Sequence, residues 1–256
     1  MIRPPAGFPG GGLSGGKIFM DHSSGEEWLF WQDAARTPAM QMAIDDLLLE
    51  TAAERGGVLC RFYRFDRPTV SFGFAQACPV LPDDRFALVR RPTGGGTVFH
   101  DRDFTYSLVI PAGQWLAELP RGESYRVIHG AVLDAVRHFD RTAALLPEAP
   151  PPENRRTVRC FAHPSRFDVM SGDGVKYAGA AQLRTRHGVL HQGSIAEAAA
   201  GGDREALKTA LLNSFQKIFE IRFANYSSDA KLIENAKISA ACRYEKLDWS
   251  RHAGRH

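Results

Sequence analysis

The sequence predicts an α+β fold, an α/β mixed sheet flanked by helices, and three observations carry that prediction. Segments with helical apolar spacing gather towards the two ends of the chain, and extended-favouring runs occupy its middle. The two kinds of segment do not alternate regularly, as they would in a parallel α/β fold. With 256 residues, 44% of them hydrophobic, the chain can also bury one large core without disulfide or metal staples.

Taken in order, residues 1–25 carry Pro4, Pro5, Pro9 and a scatter of glycines that no helix or central strand tolerates, which predicts a flexible Gly/Pro-rich tail. Thr37 suits a helix cap and Pro38 the first helical position. Met40, Ala43, Ile44, Leu47 and Leu48 then recur at helical spacing. Leu59–Phe65 and Thr69–Phe74 read as strands joined by Asp66-Arg67-Pro68, and Phe86–Arg91 as a third. After Gly94–Gly96 the strand pattern resumes at Thr97–Phe99 and Thr105–Ile110, and Tyr125–Phe139 has helical spacing. Leu146–Arg156, rich in proline, reads as a flexible connection. Phe167–Met170 and Val175–Leu183 form a hairpin across Ser171-Gly172-Asp173-Gly174, followed by a strand at Gly188–Ile195. Arg204–Phe219 and, more weakly, Asp229–Tyr244 close the chain as helices, with no internal repeat.

Thirty-two Lys and Arg against twenty-nine Asp and Glu leave a net charge of +3, too little concentrated charge for a dedicated nucleic-acid binder. No apolar run reaches the roughly 20 residues that cross a bilayer, and the N-terminus lacks a secretory core, so the expected location is the cytoplasm, without a membrane partner. Cys60, Cys78, Cys160 and Cys242 form no C-x-x-C pair, which points to neither a disulfide framework nor a metal site.

Three segments can carry chemistry. In Arg90-Arg91-Pro92-Thr93-Gly94-Gly95-Gly96-Thr97-Val98-Phe99-His100-Asp101, glycines admit close backbone approach and the arginines can pair with an anion. Alone, such a triplet is also a common hairpin turn. In Val175-Lys176-Tyr177-Ala178-Gly179-Ala180-Ala181-Gln182, with Leu190-His191-Gln192-Gly193-Ser194-Ile195, small strand residues leave room for a substrate beside a lysine. The third segment is Arg159-Cys160-Phe161-Ala162-His163-Pro164-Ser165, whose cysteine, taken alone, is more often a packing residue than a nucleophile.

In order and spacing these segments, with Thr37–Asp45, Arg61-Phe62-Tyr63 and Ser71-Phe72-Gly73, resemble the biotin/lipoate protein ligase and lipoyl/octanoyl transferase family over roughly residues 27–249. The resemblance implies a single catalytic domain at 26–250 with a curved mixed sheet and a tunnel for an octanoyl or lipoyl chain. The lysine of a carrier domain would be the final acceptor. Cys160-Phe161-Ala162-His163-Pro164-Ser165 is similar to the Cys-Phe-x-x-Pro-Ser loop of cysteine-dependent octanoyltransferases, and no Gly-Arg-Asn-Asp-type ligase sequence precedes Phe167.

The resemblance thus implies an octanoyl-[acyl carrier protein]:protein N-octanoyltransferase of lipoate biosynthesis. Cys160 would take the acyl group as a thioester, and Lys176 would polarise its carbonyl. Arg159, Lys176 and His163 are the groups able to lower the thiol pKa. Arg90, Arg91, Gly94, Gly95, Gly96, His100, Gly179, Ala180, Gln182, His191 and Gly193 are the expected substrate-binding residues, with Ser71 also facing the substrate. His100 and His191 are expected to act as hydrogen-bonding braces, and Cys60, Cys78 and Cys242 as packing or surface thiols. The donor would be acyl carrier protein, an acidic partner steered by Arg155, Arg156 and Arg159. The acceptor would be a lipoyl domain of a 2-oxoacid dehydrogenase or the glycine cleavage carrier protein. No cofactor is required on this reading. The alternatives are an ATP- and Mg-dependent lipoate-protein ligase, favoured by the intact glycine triplet where many transferases carry arginine at the third position, and a lipoyl amidotransferase.

Overall fold

A computed structural model describes residues 25–81, 83–148, 164–246 and Trp249. The chain opens with β1 (Glu26–Arg36), α1 (Pro38–Glu50), α2 (Ala52–Arg55), β2 (Leu59–Phe65), β3 (Thr69–Phe72), β4 (Ala87–Arg90), β5 (Val98–His100) and β6 (Asp103–Pro111). It continues through α3 (Trp115–Glu118), α4 (Arg121–Val136), β7 (Ala144–Leu145), β8 (Val169–Met170), β9 (Lys176–Thr185) and β10 (Gly188–Ala196). α5 (Arg204–Phe219), β11 (Ile221–Asn225) and α6 (Ala230–Ser239) complete it. Eight strands form one mixed sheet in the order β11-β1-β2-β6-β10-β9-β8-β7, and a second sheet runs β4-β3-β5. This is the α+β mixed-sheet architecture expected from the sequence.

Alternation along the central strands divides the core in two. On β6, Phe104, Tyr106, Leu108 and Ile110 join the apolar cluster under α4 and α5, whereas Val109 joins the cluster under α1 and α6. α1 starts as its sequence dictates: the Thr37 side chain accepts from the Met40 N–H at 3.3 Å and Pro38 occupies the first turn. The turn between β8 and β9 closes with Ser171 N–H donating to Val175 O at 2.8 Å, and Gly174 takes φ +86°.

Several boundaries differ from expectation. α4 begins four residues before Tyr125 and ends at Val136, and the last helical segment splits into α6 and a wider turn over Ala240–Tyr244. Residues 1–24 of the expected tail and 149–156 of the expected connection lie outside the described residues. Three strands, β1, β7 and β11, were not expected; β7 is only two residues long. β1 pairs in parallel with both β11 and β2, and its register shifts between Gln32 and Ala35, which breaks the period-two pattern by which strands are read. β11 is short and follows Glu220, whose left-handed φ of +53° ends α5.

A charge cluster lies at the centre of the α1 side. Arg61 on β2 is fully buried; it donates to Asp33 Oδ2 at 2.6 Å, to Asp45 Oδ1 at 2.5 Å and to Gln41 Oε1, under the rings of Tyr63 and Trp31. Ser107 Oγ also donates to Asp45 Oδ1, at 2.9 Å, and Gln192 Nε2 to Asp45 Oδ2, at 2.8 Å. Removing one member of a buried ion cluster strands the others without counter-charge, at a cost of about 3–5 kcal/mol. Arg61→Met is therefore expected to lose that much in urea unfolding, whereas Arg64→Met at the exposed neighbouring position shifts stability by less than about 0.5 kcal/mol.

Candidate active site

A mostly apolar cavity lies between the two sheets. Its floor includes one cross-strand row, Tyr63–Thr105–Ser194–Gly179, contributed in register by β2, β6, β10 and β9. Ser71 and Val98 of the small sheet, Arg91 and Met42 of α1 complete the enclosure. Small or hydroxylic residues along the row leave a trough where larger side chains would fill it.

Lys176 occupies one end. Its ammonium pairs with Asp168 Oδ2 at 2.7 Å, and both side chains are buried. The lysine folds back over Gly179, where an added Cβ would lie 2.4 Å from Cε and 2.5 Å from Nζ, so only glycine admits this path. Asp168 also accepts from the Tyr125 hydroxyl at 2.5 Å and from the Ser165 backbone N–H at 2.6 Å, and the Ala180 N–H donates to the Tyr125 oxygen at 2.9 Å. Ser165 is the last residue of the cysteine segment. Its amide and the Lys176 ammonium thus share one carboxylate oxygen. Cys160 itself, with Arg155, Arg156, Arg159 and His163, lies outside the described residues.

The residue before Asp168, Phe167, holds a left-handed φ of +70°, a conformation costly for a bulky side chain. His129 of α4 donates from Nδ1 to the Phe167 carbonyl at 2.8 Å and secures it. Burial pushes the His129 imidazole down to about 4, so it is neutral at pH 7, and its Nε2 has no partner among the described residues.

His100 stands at the opposite end. Its Nδ1 donates to Asp103 Oδ2 at 2.8 Å, and its Nε2 lies 2.7 Å from Ser71 Oγ, which also accepts from Arg91 at 2.8 Å. Burial alone would raise the Asp103 carboxyl, but His100, Ser194 and Thr105 together hold it below its ordinary value. Although hydroxyl, imidazole and carboxylate follow one another as in a nucleophilic relay, the Ser71 oxygen is fully buried between Arg91 and His100. The chain works as a brace: Arg91 continues it to the carbonyls of Gly94 at 2.9 Å and Gly96 at 2.8 Å.

Of the residues expected to meet substrate, Arg91, His100, Gly179, Ala180 and Gly193 line the cavity with Lys176. Gly94, Gly95 and Gly96 belong to the loop that Arg91 pins, and Gly95 takes φ +85°. The bare Gly73 lets that loop close in, since a Cβ there would sit 2.1 Å from the Gly95 oxygen. Arg90 points elsewhere: it is buried against the carbonyls of Phe74, Gln76 and Trp249, at 2.6, 2.6 and 2.7 Å. Gln182 and His191 face α4, where they bond each other, Ser124 and Tyr106. Of the other cysteines Cys60 is buried, Cys78 partly buried and Cys242 exposed, all as free thiols. Asp168, Asp103, Tyr125 and His129 were not expected as site residues. A carboxylate inside a strand-forming run is the one cue the sequence offered for Asp168.

Two imidazoles, His129 and His191, are held neutral by burial. In the unfolded chain each takes a proton near pH 6.5, so the unfolded state gains protons first as pH falls and stability drops. For His129, with its folded value of about 4, the loss between pH 6.5 and 4 is roughly 3 kcal/mol. Chemical denaturation across this range should show at least that loss, and His129→Gln, which keeps a donor for Phe167 O, should reduce it and leave the share of His191.

The chain is 32% identical over 186 residues to octanoyltransferase LipM of Halalkalibacterium halodurans, a match covering 66% of each chain. It is 33% identical over 184 residues to octanoyltransferase LipM of Staphylococcus aureus, again covering 66% of each. The chain thus spans just under two thirds of the length of these relatives. Among solved structures, a lipoate-protein ligase A bound with ATP superposes with a TM-score of 0.71 at 20% identity, over 88% of this chain and 98% of that one. The bipartite lipoate protein ligase of Thermoplasma acidophilum gives 0.70 at 19% identity, over 90% and 98%. The profile of the lipoyl protein ligase A/B catalytic domain matches residues 37–231, most of the chain, and the protein belongs to that family.

Proposed function

We propose that the chain is an octanoyltransferase of lipoate assembly that moves an octanoyl group from acyl carrier protein, through a Cys160 thioester, to a lysine of a lipoyl carrier domain. The observation that carries this reading is the shared Asp168 oxygen, which ties the end of the Cys-Phe-x-x-Pro-Ser segment to the Lys176 ammonium. The relatives named octanoyltransferase support the same branch. Cys160 as thiolate attacks the donor carbonyl, and Lys176 stabilises the oxyanion that forms. Collapse expels the carrier thiolate, which takes up a proton, and leaves an acyl-enzyme. The amine of the acceptor lysine then attacks the same carbonyl, its nitrogen gives up a proton to solvent, Cys160 leaves as thiolate, and the amide remains. One thioester replaces another in the first step, so neither ATP nor a cofactor is called for. The cavity contributes by burying the acyl chain, at about 0.8 kcal/mol per methylene.

Residues 26–250 form the catalytic unit on this reading and residues 1–25 its tail. Arg155, Arg156 and Arg159 steer the acidic donor, and lipoyl domains of 2-oxoacid dehydrogenases or the glycine cleavage carrier protein serve as acceptors in the cytoplasm. No helix among the described residues is long and apolar enough to cross a membrane. An ATP- and Mg-dependent ligase is the second reading, favoured by the intact Gly94–Gly96 triplet; a lipoyl amidotransferase would differ only in its donor.

Intact-protein mass after mixing with octanoyl-acyl carrier protein, without ATP, tests the proposal. The expected result is an octanoyl adduct on the wild type, absent from Cys160→Ala and discharged by a lipoyl domain. Lys176→Ala should slow adduct formation by about 10²–10³-fold, as loss of an oxyanion donor does. Acceptor modification only with ATP and magnesium, and undiminished in Cys160→Ala, would overturn it in favour of the ligase.

A further inference from the structure

The acyl cavity has a neighbour. A second, polar cleft opens beside it, lined by Arg64, Asp66, Arg67, Asp101 and Glu197 among others. The two hollows share Phe65, His100 and Thr105 as common wall, whereas Lys176 lines only the acyl cavity. The Phe65 ring rests on the His100 imidazole with centroids 4.6 Å apart and on Tyr63 at 5.8 Å. His100 is fixed from behind by Asp103 and Ser71, so it cannot swing away without breaking both contacts. Phe65 itself is only half-buried and touches the polar cleft on its outer side.

The floor gives the distance. Gly179, beneath the Lys176 ammonium, and Thr105, beside His100, sit in one cross-strand row with β10 between them. Two strand spacings amount to roughly 9–10 Å. An acyl group whose carbonyl meets Lys176 therefore runs along the row and meets the Phe65–His100 plate after about the reach of an extended octanoyl chain. Beyond the plate lie charged side chains that solvate an apolar tail poorly.

We infer that Phe65, backed by His100, is the chain-length stop of the acyl cavity: it ends the space for the fatty tail and separates it from the polar cleft. This rests on the acyl-transfer reading for its substrate class. Replacing Phe65 by alanine leaves a void of ring size continuous with the cavity, which two to four further methylenes can fill. Replacing it by tryptophan pushes the plate inwards.

The test uses the full chain in two assays with saturated chains of six to fourteen carbons: displacement of a fluorescent fatty acid by the free acids, and acyl-enzyme formation from the matching acyl-carrier-protein thioesters. In the wild type the twelve-carbon chain should trail the eight-carbon chain by at least tenfold in both. Phe65→Ala is expected to reduce that ratio to threefold or less, and Phe65→Trp to move the optimum towards six carbons. The tryptophan variant decides should the alanine variant fail to fold. A twelve-to-eight ratio within twofold of wild type in folded variants overturns the stop, and does so without touching the transferase reading if acyl-enzyme still forms. A length cut-off in binding that shifts as expected, with no acyl-enzyme from any donor, supports the stop and overturns the transferase reading instead.

Discussion

A guanidinium with no access to water must be matched by carboxylates in place, and Arg61 imposes that condition at the centre of this fold. Asp33 comes from β1 and Asp45 from α1, so the ion cluster fixes the helix against the sheet in one register. Its reach extends further. The second oxygen of Asp45 holds Gln192 of β10, and Gln192 in turn accepts from Thr93 at 2.7 Å, immediately before the glycine run. A single network therefore sets the floor of the cavity, the helix beside it and the entry to the loop above it.

Each end of the cavity repeats the same device on a smaller scale. Asp168 gathers an ammonium, a phenol and a backbone amide; Asp103 gathers an imidazole and two hydroxyls. Carboxylates so fully bonded orient their partners and add no unpaired charge to a site that must accept an apolar chain. Glycines complete the arrangement by absence: Gly179 makes room for the lysine stem, and Gly73 lets the glycine run approach its strand. What remains open is a trough with a cation at one end and an aromatic plate at the other.

Much of this was legible in the sequence. The Thr37-Pro38 cap, the glycine-punctuated hairpin and the helical spacing of α5 rest on local chemistry, and local chemistry is what a sequence displays. A register shift interrupts the alternation of β1, and β11 follows α5 with only Glu220 between them, so no turn segment marks its start. At the site, the motif put Arg90 and Arg91 forward together, yet neighbouring residues of an extended chain face opposite ways: Arg91, just past β4, braces the glycine carbonyls while Arg90 is spent on the carbonyls of the 73–76 turn and Trp249. The same alternation turns Gln182 and His191 towards α4. Asp168 and Asp103 gain their meaning only from partners brought together across the fold, such as Tyr125 and Ser194, which lie far from them in the chain.

The central claim is that an acyl chain lies along the Tyr63–Thr105–Ser194–Gly179 row with its carbonyl at Lys176. A crystal structure of the octanoylated protein tests this most directly. The account predicts the carbonyl oxygen within hydrogen-bonding distance of Lys176 Nζ and the terminal methyl against Phe65 and His100. A chain lodged elsewhere, or running along the row in the reverse sense, would contradict it.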